Sequence, residues 1–161
     1  MIVKLKNKQL AKPEFDELVR LSKLSGLKYT VDSKNELKDI IRYITLYVDP
    51  EANLNWIDTS KITNMDYLFI ESEFKGDISE WDVSNVESMN SMFAGSDFDG
   101  DISKWDVSKV VDMRSMFQGC PFNHDISMWD VWRANKDDIV KTCIFNGCPI
   151  NREYRPNFNN E

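Results

Sequence analysis

Three tryptophans, Trp81, Trp105 and Trp129, stand 24 residues apart, each inside the same string. The strings are Asp77-Ile78-Ser79-Glu80-Trp81-Asp82-Val83, Asp101-Ile102-Ser103-Lys104-Trp105-Asp106-Val107 and Asp125-Ile126-Ser127-Met128-Trp129-Asp130-Val131. Downstream, Val86, Met89, Met92 and Phe93 match Val110, Met113, Met116 and Phe117, and Phe74 and Phe98 match Phe122. A degenerate copy precedes these, with Leu54, Ile57, Asp58, Ser60, Ile62, Met65, Leu68 and Phe69 in the corresponding places. The last copy drifts after Val131 and regains register at Ile144-Phe145-Asn146-Gly147-Cys148-Pro149, with four extra residues. A fixed period of this length is the signature of stacked repeats, whose terminal copies diverge because one side of each lacks a neighbour of its own kind.

Each copy reads as a short helix and a short extended stretch. Ser84 with Glu87 has the form of a capping box, and Ser60 and Ser108 hold the same place without the acid. The spacing predicts a helix from Asn85 to about Phe93, ended by Gly95, or by Gly119 one copy later. Trp81 and Val83 lie two apart, as on a brief strand. Elements this small cannot bury an apolar face alone, whereas stacking copies can, with Trp on Trp, Met on Met and Phe on Phe. The expected fold is an α/β repeat solenoid with a short helix and a short strand per 24-residue repeat.

The string Gly-Asp-Ile-Ser-x-Trp-Asp-Val-Ser-x-Val-x-x-Met-x-x-Met-Phe, present twice in full, resembles the BspA-like leucine-rich repeats. These also occur in Mycoplasma lipoproteins as a domain of unknown function. The resemblance covers about Asn53 to Asn151, with a family-like lead-in at Lys34–Ile41 and a family-like tail at Cys148–Tyr154. It implies a leucine-rich-repeat-like solenoid used for adhesion or protein binding. The chain looks most like the small stand-alone bacterial and phage versions.

Residues 1–52 are read as an α+β N-terminal cap, 53–151 as the four-copy solenoid and 152–161 as a C-terminal tail. In the cap, Ile2–Leu5 and Tyr29–Val31 suggest strands. Lys12-Pro13-Glu14 opens a helix that Gly26 stops. Ser33 with Glu36 caps a second helix to about Leu46, with Leu37, Ile40, Ile41 and Ile44 inward. The alternative is that this segment, rather than the repeats, carries the function.

A net charge of −7 disfavours direct nucleic-acid binding and suits either plain solubility or a basic partner. The N-terminal residues hold no apolar run of signal-peptide length, so a cytoplasmic protein is expected, with a surface or secreted one as the alternative if a signal lies upstream. Three cysteines make no disulfide framework. Cys120 and Cys148 hold matching slots, and whether they pair is left open. His124, in the slot of Gly76 and Gly100, is expected to be a turn residue at an unusual backbone angle. With one histidine, no phosphate loop and serines that recur in every copy, no catalytic constellation appears, and no enzyme, cofactor or metal is expected. The recurring aspartates are read as acceptors for turn N–H groups rather than as ligands of calcium.

Positions that fail to repeat mark the free surface. They include Glu80/Lys104/Met128, Glu87/Val111 and Asn90/Arg114. The periodic tryptophans are assigned to the core, and Trp56 and Trp132, which break the period, to exposed anchors. The function expected is a non-enzymatic protein-binding module. The alternatives are an intracellular, phage- or mobile-element-encoded inhibitor of a basic nucleic-acid-handling protein, and a surface adhesin fragment that binds carbohydrate or host.

Overall fold

The structure, a computed structural model, describes residues 2–3, 16–17, 20, 28–135 and 143–158. The N-terminal segment forms strands β1 (Ile2–Val3) and β2 (Lys28–Thr30) and helix α1 (Lys34–Tyr47). Ser33 caps α1 by accepting from the Glu36 N–H, while the Glu36 carboxylate reaches back to the Asp32 N–H and accepts from the Tyr29 hydroxyl. The expected helix near residues 12–24 is seen at Asp16, Glu17 and Arg20, and its remaining positions lie outside the described residues.

Leu37, Ile40, Ile41 and Ile44 of α1 are buried, in one continuous apolar cluster with the repeats. Strand β3 (Ile57–Asp58) belongs to the first 24-residue unit and pairs in parallel with β2, which pairs in parallel with β1. The cap is thus joined to the first unit by backbone bonds as well as by apolar packing.

From residue 53 onward, equivalent side chains lie over one another. Phe69, Phe93, Phe117 and Phe145 form a column of stacked rings with centroid separations of 5.3, 5.6 and 5.7 Å. Phe74 and Phe98 lie parallel beside it at 6.4 Å. Trp81, Trp105 and Trp129 are buried, as expected, but their recorded ring contacts run to Phe69, Phe93 and Phe117 of the preceding unit rather than to one another. Each indole N–H donates to a backbone carbonyl one unit back, on Leu54, Ile78 and Ile102 respectively. A buried indole donor needs such a partner, and the repeat supplies it at the same place each time.

The helix expected over Asn85–Phe93 is not formed, and neither is a strand at Trp81–Val83. The Ser84–Glu87 capping box is absent too: the Ser84 hydroxyl donates to Asp82 and Glu87 faces outward. Backbone hydrogen bonding gives the reason. Met89, Ser91, Phe93 and Gly95 donate their N–H groups across to Asp112, Arg114, Met116 and Gln118 of the next unit, at 2.8–2.9 Å. Met92, Ala94 and Ser96 close four-residue turns onto Met89, Ser91 and Phe93. A helix would spend every N–H within its own segment and leave no ladder to the neighbour. Stacked turns satisfy both directions, at the cost of left-handed backbone at Tyr67, Ser91 and Ser115 and again at Glu71, Gly95, Gly119 and Gly147. The glycines named as helix stops therefore do hold left-handed positions, but in a ladder of turns.

The four extra residues of the last unit fall between Val131 and Ile144, and register returns after them. Phe117 donates to Ile144 and Gly119 to Asn146, each at 2.9 Å. The segment read as a tail packs on this unit. Ile126 donates to Tyr154, and the Arg155 guanidinium lies 5.1 Å from the centre of the Phe145 ring, closing the aromatic column.

Candidate functional site

The non-repeating positions sort into two bands of the surface. Glu80, Lys104 and Met128 occupy one slot in successive units and all are exposed, Met128 at 89%. Lys104 borders a polar groove of about 560 Å³ with Lys75, Asp77, Ser79 and Asp101 on its walls. Glu87 and Val111 are exposed neighbours on the bridged segment, the Val111 N–H donating to the Glu87 carbonyl at 2.9 Å. Asn90 is half-buried, its backbone N–H bound to the Asp66 carboxylate. Arg114 is exposed but committed, holding Asp112 with bonds of 2.6–3.2 Å. That contact keeps the Asp112 carboxyl below its ordinary range. Trp132 is 54% exposed, whereas Trp56 is half-buried against Tyr29 and the core, because it precedes β3 where that strand joins the cap.

The recurring aspartates are turn residues. Asp77, Asp101 and Asp125 accept from the N–H of Ser79, Ser103 and Ser127. Asp82 and Asp106 accept from Ser84 and Ser108, and Asp130 from Trp132. Hydrogen bonds from Ser103, Ser108 and Ser127 hold the carboxyls of Asp101, Asp106 and Asp125 below the usual carboxylate range, so they stay ionised. Among the described residues, no three or more His, Cys, Asp or Glu side chains are grouped to hold a metal ion. Charge is unevenly spread along the chain. Between residues 49 and 130, 17 carboxylates face 5 lysines and arginines, a net −12 against −7 for the whole chain.

Cys120 and Cys148 are buried free thiols. They donate to the carbonyls of Phe98 and Phe122 at 3.0 and 3.2 Å. Burial pushes the Cys120 thiol up to about 11 and raises that of Cys148 as well. Ser72 and Ser96 fill the same slot in earlier units. His124 does not take the left-handed backbone expected of it, and neither do Gly76 and Gly100. The constraint on that slot is space. A β-carbon on Gly76 would lie 2.0 Å from the Ala52 carbonyl oxygen. His124, two units further on, sets its ring Nε2 2.8 Å from the Asp99 carbonyl oxygen.

A cleft of about 270 Å³ lies between α1 and the first unit, with Ile41, Leu46, Leu68 and Ile70 among its lining residues. Lys38 and Arg42 line its helix side, and Glu71 and Glu73 its repeat side. Leu46 and Ile70 are 55% and 39% exposed. The signal was present in the repeat itself: Ile70 stands where later units carry Ala94 and Gln118.

Among the described residues, no helix is long and apolar enough to cross a membrane. Comparison with curated proteins and with solved structures gives no match. The model of the family described as Mycoplasma protein of unknown function, DUF285, matches residues 37–149, taking in most of α1 together with the stacked units, and the chain belongs to that family.

Proposed function

We propose that the chain is a non-enzymatic protein-binding module built on a BspA-like, leucine-rich-repeat-like solenoid. What supports this is the division of each unit into repeated, buried positions and unrepeated, exposed ones. Met128 carries the reading furthest: a large apolar side chain, 89% exposed, stands where equivalent units present Glu80 and Lys104. Trp132, 54% exposed, follows within a few residues. Exposed apolar and aromatic groups on a rigid frame are the usual anchors of protein recognition. The turn carboxylates are engaged with backbone N–H groups, and the firmly ionised state of Asp101, Asp106 and Asp125 supports an electrostatic role over proton transfer.

The test is capture of a partner from the native host by the full chain, followed by calorimetry with the purified partner. Met128→Asp and Trp132→Ala should each weaken binding by about tenfold or more. Equal affinity in both variants would refute this surface.

A second reading, inhibition or tethering of a basic nucleic-acid-handling protein, is favoured by the net −12 of residues 49–130. Binding by that route weakens steeply as salt rises, whereas binding through Met128 and Trp132 does not.

A further inference from the structure

We propose that the cleft between α1 and the first unit is a self-association surface, and that its occupant is a second copy of this chain. This goes beyond the protein-binding reading and rests on different residues.

The cleft has a polarity that a two-fold axis would match. Lys38, Arg42, Thr45 and Leu46 are spaced to share one edge of the helix, and Lys38 and Arg42 give that edge its positive charge. The opposite wall carries Glu71 and Glu73. All four charged side chains are exposed, and among the described residues none of them is joined in an ion pair or hydrogen bond. Between them lies an apolar strip to which the partly exposed Leu46 and Ile70 belong.

A two-fold interface needs a patch that is its own complement. Rotating a copy by half a turn about an axis through the strip brings its Lys38 and Arg42 opposite Glu71 and Glu73 of the first copy, and the reverse. Leu46 and Ile70 then meet their counterparts at the centre, where water is excluded. At about 270 Å³ the cleft is below the usual size of a small-molecule pocket, and it is open enough to admit side chains from a protein surface. Without Glu71 and Glu73, residues 49–130 still carry a net −10 and repel another copy, so association is directed to this end.

Sedimentation equilibrium of the full chain, from about 1 μM to about 1 mM, reads the association directly. The expected result is a concentration-dependent rise to twice the 18.8 kDa monomer mass. A variant carrying Lys38→Glu and Arg42→Glu has two negative walls, and one carrying Glu71→Lys and Glu73→Lys has two positive walls. Each alone should associate at least about tenfold more weakly than the parent. Mixed in equal amounts they should pair again, because every wall then meets its opposite, and that recovery also shows both variants to be folded. A parent chain that stays monomeric throughout overturns the proposal. So does a dimer that persists in both variants, or a mixture that fails to associate.

Discussion

Replacing Phe93 by alanine removes the ring at the centre of the aromatic column. Phe93 is fully buried and lies 5.3 Å from Phe69, 5.6 Å from Phe117, 4.3 Å from Phe98 and 6.3 Å from Trp105. Truncating a buried phenylalanine costs about 3–5 kcal/mol, with the higher values where the cavity cannot collapse. Collapse is restricted here. The backbone on one side is held by the Phe69–Met92 bond and on the other by the Phe93–Met116 bond, at 2.8 and 2.9 Å. The expected loss is therefore about 4 kcal/mol, a fall in Tm of about 8–16 °C for a chain of this size. Phe93→Leu keeps much of the volume and forfeits mainly ring-on-ring contact, so it should cost about 1.5 kcal/mol. Urea unfolding followed by far-UV circular dichroism measures both, with Val111→Ala, at a 55% exposed position, as a control that should stay within about 0.5 kcal/mol of the parent. A loss below about 1.5 kcal/mol for Phe93→Ala would show that the column does not hold the units together.

Three further outcomes follow from the same geometry. Gly76→Ala puts a β-carbon 2.0 Å from the Ala52 carbonyl oxygen, whereas Gly119→Ala meets open space at a φ of +65°. Thermal unfolding should show the second to cost about 1–2 kcal/mol, from left-handed strain alone, and the first distinctly more. Thiol titration of the native chain at pH 8 should find Cys143, which is half-buried, to be the reactive cysteine, with Cys120 and Cys148 reacting only on unfolding. Acid should weaken the fold through the carboxylates of Asp101, Asp106 and Asp125. Their folded-state pKa lies below the unfolded value of about 3.9, so the stability they contribute is full above that value and is lost as pH falls through the folded one. Asp101→Asn, measured by urea unfolding from pH 7 to pH 2, should flatten that dependence.

What the sequence disclosed was burial. The 24-residue spacing of Trp81, Trp105 and Trp129 identified core positions, and the return of Phe145 and Gly147 after four extra residues identified the last rung. Helix α1 was legible as well, because its cap and apolar face are local. The conformation of Val86–Phe93 was not. Positions spaced by three, six and seven fit one face of a helix, and they fit equally a run of tight turns with one side inward. The decision belongs to N–H groups whose acceptors lie 23 residues further along, as between Met89 and Asp112. No local propensity contains that competition. Trp56 was misread for a related cause: it departs from the tryptophan period because its unit is completed by β2 of the cap rather than by another repeat. The cleft was hidden because its two walls come from different segments, although Ile70 among small and polar equivalents was a sign of it.

Asn53 separates what the fold requires from what it merely carries. Its side-chain oxygen accepts from the Asn55 N–H at 2.8 Å, the same turn that Asp77, Asp101 and Asp125 make at 2.9 Å. The turn can therefore be made by a neutral acceptor oxygen, although an ionised one accepts more strongly. Bonded units sit about 4.8 Å apart, so carboxylates repeated in one slot repel their neighbours above and below. Asparagine in that slot escapes the repulsion but gives up the stronger bond that an ionised acceptor makes with the turn N–H. The retained charge acts outward: it keeps stacked surfaces of separate copies apart and presents a strong negative field to a basic partner. Asp77, Asp101 and Asp125 cannot by themselves distinguish one basic partner from another, because they repeat one group in one slot. Discrimination must come from positions that change between units, such as Met128, Val111 and Trp132.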